Sequence, residues 1–153
     1  MRRWLTTALV LVVGCSDGVP PEAGMDAGAP VDTGPTLAQR QRTALGRWSV
    51  EMSQGEEVMR TYVDRNPAMF DAARVAEFSA AARTYRETAA SSVADAGPDP
   101  LAYGITRMTT AVAPAYCRVI AAYLAATAMV FPEPRVRCSE LPTPPEGWWT
   151  RYE

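Results

Sequence analysis

Residues 100–131 read PLAYGITRMTTAVAPAYCRVIAAYLAATAMVF, and this stretch decides the fold. Leu101, Ile105, Met108, Val112, Tyr116, Val119, Tyr123 and Val130 share one face of a helix. Cys117, Ile120, Leu124, Ala128 and Phe131 add a second face, and no charge falls between Val119 and Phe131. A segment apolar nearly all round belongs at the centre of a helical assembly. A membrane span is the weaker reading, because Arg118 cuts the run and much of it is Ala. Asp99-Pro100 supplies an N-cap and a first-position proline. Pro114 has no N–H and crowds the carbonyl four residues back, at about 3 kcal/mol, so a kink or a break is expected near Val112. A kink leaves three helices in the chain; a break makes four.

Toward the N-terminus the same period recurs. Leu37, Ala44, Leu45, Trp48, Met52, Met59, Tyr62 and Val63 form one face of an amphipathic helix ending near Arg65. Thr36-Leu37-Ala38-Gln39 has capping-box spacing at its start. Gly46 and Gly55 weaken the helix, and a second capping box at Ser53-Gln54-Gly55-Glu56 makes a break there conceivable. Asn66-Pro67 opens the next helix, expected over 67–94, with Phe70, Ala73, Phe78, Ala81, Ala82 and Tyr85 as its stripe. Its many alanines favour helix and close approach but supply little core volume. Asp95-Ala96-Gly97-Pro98 ends it.

Toward the C-terminus, Pro132, Pro134, Pro142, Pro144 and Pro145 forbid long helices, so the tail is expected to be extended. It ends in Gly147-Trp148-Trp149-Thr150-Arg151-Tyr152-Glu153. No strand alternation and no repeat is evident. The fold class expected is all-α: a small bundle of three to four helices with an extended, Pro-rich C-terminal tail.

Composition narrows the chemistry. The 153 residues carry 15 basic and 17 acidic side chains and no His, and every basic residue is Arg. Near-neutral charge argues against a nucleic-acid protein with a strongly basic face. The missing imidazole removes Ser-His-Asp and Cys-His nucleophile systems, His-ligated metals and imidazole acid–base catalysis. No P-loop, dinucleotide fingerprint, nucleophile elbow or zinc signature is present. No cofactor and no metal is expected. Glu56 and Arg60, and Arg83 and Glu87, are spaced for surface ion pairs.

The first fifteen residues, MRRWLTTALVLVVGC, combine a charged start (Arg2, Arg3) with an apolar run from Leu5 to Val13 too short to span a bilayer. With Gly14-Cys15 at its end, the segment resembles a bacterial lipoprotein signal with a lipobox, although Val12 stands where Leu is commoner. The resemblance implies cleavage before Cys15, diacylglycerol on its thiol and an acyl chain such as palmitate on its amine. Two or three acyl chains anchor far more firmly than one. The mature chain would carry 13 basic against 17 acidic residues. Ser16 after the Cys favours an outer-membrane location by analogy with enteric bacteria. Ser16 to Pro35 (SDGVPPEAGMDAGAPVDTGP) has almost no large apolar side chain and is expected to be a disordered tether. Fully extended, it would reach roughly 60 Å at about 3.1 Å per residue. Its Ala-Gly-Pro-Asp composition resembles lipoproteins of GC-rich Gram-negative bacteria such as myxobacteria. The organisation expected is therefore a signal peptide (1–14), a lipid anchor and linker (15–35), a helical bundle (36–131), and a tail pinned to it (132–153).

If Cys15 takes lipid, Cys117 and Cys138 remain as an even pair in an oxidising compartment, and a disulfide between them is expected. Trp148, Trp149 and Tyr152 are either a partner-binding aromatic patch or rings folded back over the Ala-rich helices. Arg40, Arg42 and Arg47 either meet envelope phosphates or form a solvated face. The function expected is a non-enzymatic envelope lipoprotein that presents a helical domain to another envelope protein or polymer. The alternatives are a periplasmic chaperone-like or inhibitor protein, and, less favoured, an enzyme using carboxylate and Arg chemistry.

Overall fold

The computed structural model describes residues 34–91, 98–127 and 133–153. The signal-like segment, Cys15, most of the tether, Val130 and Phe131 lie outside the described residues. Among the described residues the protein is all-α, about 80% helical, with three helices and no strand.

Helix α1 spans Leu37–Arg65. The capping box forms as the spacing predicts: Gln39 N–H donates to the Thr36 hydroxyl at 3.3 Å, and Thr36 N–H donates to the Gln39 side chain at 2.7 Å. There is no break at Ser53. Ala44, Trp48, Met52, Glu56, Met59 and Val63 are buried along the whole length, so packing on both sides of the weak points holds the helix together. Leu37, assigned to the stripe, is instead more than half exposed in the first turn. Asn66 ends α1, its side-chain amide donating to the Tyr62 carbonyl at 2.8 Å.

The second helix starts later than the sequence suggests. Pro67–Met69 make one 3-10 turn, Phe70 is extended, and Asp71 is the working N-cap, accepting from Ala73 and Arg74 N–H. An Asp side chain two residues ahead of free N–H groups outcompetes the Asn66-Pro67 signal. Helix α2 is Ala72–Ala90. It buries Phe78, Ala82 and Tyr85, while Ala73 is exposed.

Helix α3 runs from Pro100 to Thr127 without a break. Asp99 caps it by accepting from Leu101 and Ala102 N–H. Pro114 is accommodated by a π-turn at Met108–Val112, in which Ala113 N–H donates to the Met108 carbonyl five residues back. The widened turn lies just where the proline ring would crowd the preceding carbonyl. The Thr109 hydroxyl donates to the carbonyls of Ile105 and Thr106, and Thr110 to that of Thr106, so buried Thr109 is satisfied locally.

Helices α2 and α3 share the most extensive contact, and α1 closes the core from the side. Phe78 meets Tyr123 at 5.9 Å and Tyr85 meets Tyr116 at 5.4 Å between ring centroids. The first apolar face of α3 is the core face, with Met108, Val112, Tyr116, Val119 and Tyr123 buried. The second is only partly covered: Ile120 is buried, but Leu124 is 37% exposed and its neighbours Ala121 and Ala125 face solvent. The helix is therefore not enclosed all round. By length and composition alone it could cross a membrane, and half of that apolar window is buried within the fold.

Glu56 departs from the surface pairing its spacing suggests. It is 4% exposed, 2.5 Å from Arg86 on α2 and 3.5 Å from Arg60. Arg83 and Glu87 do not form an ion pair. The segment after residue 133 is not extended throughout: Cys138–Glu140 and Trp148–Tyr152 form 3-10 turns. Gly147 introduces the second with φ 73°, a left-handed conformation that glycine adopts without steric cost.

Candidate functional site

The C-terminal turn Trp148–Tyr152 returns to the first half of α1, and the residues singled out in the sequence gather along this seam. Trp48 is the anchor. It sits in the buried stripe of α1 and contributes a fully buried ring that stacks on Tyr152 at 5.8 Å and tilts against Trp148 at 5.6 Å. Trp148 and Tyr152 are buried, so they do not form an aromatic patch open to a partner. Their rings fold back, but onto Trp48 of α1 rather than onto the Ala-rich α2. Ala44, one turn before Trp48, leaves space for them, whereas α2 has already committed its core face to α3. Trp149 stands edge-on to Trp148 and remains half-buried. The Tyr152 hydroxyl accepts a hydrogen bond from the Val136 N–H at 3.0 Å, which ties the first part of the tail to its last turn.

The basic cluster divides. Arg40, one turn into α1, holds the Glu153 carboxylate in a two-pronged contact through Nε and Nη2. Arg47 donates to the backbone carbonyls of Tyr152 and Glu153. Neither is simply a solvated side chain; both clasp the tail. Arg42 is exposed. Farther along, Arg151 pairs with Glu140 at 2.5 Å, and Arg135 exchanges backbone contacts with Arg151 while approaching Glu51 at 3.8 Å. The Arg40 guanidinium holds the Glu153 carboxyl below its ordinary range, and Arg151 does the same for Glu140. Burial pushes the Tyr152 and Tyr116 hydroxyls well above theirs.

Cys117 of α3 and Cys138 of the tail are joined by a disulfide with Cα atoms 5.8 Å apart. The tail is thus attached twice: covalently to α3, and by aromatic packing and arginine clasps to α1.

Beside the seam lies a cavity of about 490 Å³ lined by Pro35, Arg40, Thr43, Arg47, Tyr152 and Glu153. Its two guanidinium groups are already engaged, Arg40 by the Glu153 carboxylate and Arg47 by the carbonyls of Tyr152 and Glu153. Among the described residues, no three Cys, Asp or Glu side chains converge as a metal site. The arginines and aromatics stand out in the sequence by type, but their use does not. Trp48 reads as a core residue without its partners, and no local pattern marks Glu51, Arg135, Glu140 or Arg151. The Glu51–Arg135 contact spans 84 residues of chain and the Arg40–Glu153 contact 113, beyond any local period. Comparison of the chain with family models, with curated proteins and with solved structures finds no match.

Proposed function

We propose that the protein is a non-enzymatic lipoprotein of the bacterial cell envelope. In this reading Cys15 becomes the acylated N-terminus, residues 16–35 are a tether, and the remainder is a three-helix bundle closed by its Pro-rich tail. The lipid anchor holds it in the outer membrane, and the bundle is displayed to another envelope component. The observation that carries the reading is the Cys117–Cys138 disulfide. A structural disulfide persists in an oxidising compartment, which an exported chain reaches and a cytosolic one does not. It also occupies both cysteines of the folded part, leaving Cys15 as the thiol for lipid.

The seam narrows the surface offered to a partner. Arg40, Arg47, Trp148 and Tyr152 are engaged within the fold, so Arg42 and half-buried Trp149 are the residues of the original set left to meet one.

The test is the intact mass of protein extracted from membranes, kept non-reduced and treated with a thiol alkylator. Loss of residues 1–14, added acyl mass on Cys15 and unlabelled Cys117 and Cys138 are expected. An unlipidated chain with alkylated thiols at 117 and 138 would overturn both the anchor and the compartment. Photocrosslinking from positions 42 and 149 in cells then identifies the partner; diffuse labelling of many unrelated proteins would favour a chaperone-like role instead.

A further inference from the structure

The Cys117–Cys138 bridge is not sealed in the core. Both cysteines are half-buried, and both line a groove of about 400 Å³ together with Thr110, Pro114, Leu141 and Pro142. The walls are apolar apart from Thr110, whose hydroxyl is spent on the Thr106 carbonyl.

The charges around the sulfurs are of one sign. Arg118 follows Cys117 and Arg137 precedes Cys138; both are exposed, and neither forms an ion pair among the described residues. The cysteine Cα atoms are 5.8 Å apart, so the bridge draws the two arginine Cα atoms to within about 13 Å of each other. Glu140, the acid nearest to Cys138 in the chain, is taken up by Arg151 at 2.5 Å. A partly exposed sulfur in locally positive surroundings is the environment of a reactive cysteine, because cations stabilise both the thiolate that attacks and the thiolate that departs. The tail, moreover, has a hold that does not depend on sulfur. Trp148 and Tyr152 are buried on Trp48, and the Tyr152 hydroxyl holds the Val136 N–H. The Cys138–Glu140 turn lies between these points in the chain, and its covalent tie to α3 is the bridge.

We propose that the bridge is a redox latch: a dithiol opens it in the folded protein, freeing the Cys138–Glu140 turn from α3 while the seam keeps the last residues on α1. A thiolate of the dithiol attacks one bridge sulfur and forms a new S–S bond, and the electron pair of the broken bond leaves on the other cysteine as a thiolate. The second thiol of the dithiol, as thiolate, then displaces the first cysteine. The dithiol ends as a disulfide, and its two electrons and two protons end on Cys117 and Cys138. The latch and the envelope reading share this bridge, but a bridge that resists dithiol is still at home in an oxidising compartment, so one fails without the other.

The test is reaction of the folded full chain with dithiothreitol, quenched by alkylation and read as the mass of the peptides carrying Cys117 and Cys138. The rate is expected to rise in proportion to dithiothreitol, without a plateau, while tryptophan emission stays native. Arg118→Gln/Arg137→Gln should slow it about threefold, the rate effect of a tenfold change in the acidity of the departing thiol. In the reduced protein the amide hydrogens of Glu140 and Leu141, which donate to the carbonyls of Arg137 and Cys138, should exchange about tenfold faster, while that of Val136 stays protected. A rate that levels off at the rate of global unfolding overturns the proposal, because the bridge is then reached only in the unfolded chain. An undiminished rate in the double arginine variant overturns activation by charge. Unchanged exchange at Glu140 and Leu141, or loss of protection at Val136 as well, overturns the latch.

Discussion

Removing the Cys117–Cys138 bridge should destabilise the folded protein by about 3 kcal/mol, and the figure follows from the loop it closes. The two cysteines are 21 positions apart. In the chain-entropy account, a loop of that size loses roughly 11 cal/mol/K of unfolded-state entropy on cross-linking, or about 3 kcal/mol at 25 °C. Unfolding a domain of this size carries an entropy of about 2.1 cal/mol/K per residue near 60 °C, so the same loss lowers Tm by roughly 12 °C. The native fold should survive, because Trp48, Trp148 and Tyr152 pack together and Arg40 and Arg47 hold the last residues without help from sulfur. The assay is urea unfolding of Cys117→Ala/Cys138→Ala, followed by far-ultraviolet circular dichroism and by tryptophan emission, alongside the unaltered protein with and without a reducing agent. The unaltered protein, once reduced, should match the double variant, with helical signal unchanged in both. A loss below about 1 kcal/mol would refute the reasoning and place the attachment of the tail almost wholly in the aromatic seam. Early loss of tryptophan emission, ahead of the helical signal, would show that the bridge holds the seam locally instead of constraining the unfolded chain.

Four further outcomes are expected. Tyr152→Phe keeps the ring on Trp48 but leaves the buried Val136 N–H without its acceptor, costing about 1–2 kcal/mol in urea unfolding. Arg86→Ala leaves Glu56 buried with only the more distant Arg60; because Arg86 is half exposed, the cost should be about 1–2 kcal/mol, below that of a fully buried pair, and Glu56→Gln should cost less than Arg86→Ala. Glu153 and Glu140 have carboxyl pKa values below their ordinary range, so their clasps contribute above the unfolded-state value near 4.5 and are lost as pH falls through the lower folded values; tryptophan emission should shift in that acid window, less so in Glu153→Gln. The Tyr85, Tyr116, Tyr123 and Tyr152 hydroxyls have pKa values raised by burial, so stability should fall as pH rises above about 10, with tyrosinate absorbance at these positions appearing together with unfolding and not before it.

The helices were legible because their information is local. The capping box at Thr36, the stripe through Trp48, Met52 and Met59, and the Asp99-Pro100 start all depend on residues three or four apart, and each is found where expected. One boundary was less legible: Asn66-Pro67 signals a start for α2, but the Asp71 side chain makes the cap. Pro114 predicts an irregularity but not its form, since a π-turn upstream relieves the same clash as a kink or a break. The seam lay furthest from view. Arg40, Arg47 and the final aromatics could be picked out by type, but whether they meet a partner or one another depends on a chain return of more than 100 residues. Glu56 illustrates the same point: its spacing to Arg60 is correct, and its burial comes from α2.

The seam also sets how the domain would respond to force. Arg40 and Glu153 place the entry of α1 beside the end of the tail, so a pull between the two is borne by the arginine clasps and the Trp48 stack, not by α2 or α3. Should that contact yield, the slack released is bounded, because the 15 residues after Cys138 pay out to roughly 50 Å at most before the sulfur bridge to α3 comes under tension. The tail would act as a mechanical fuse of fixed length, giving way at the seam while the helices stay unloaded.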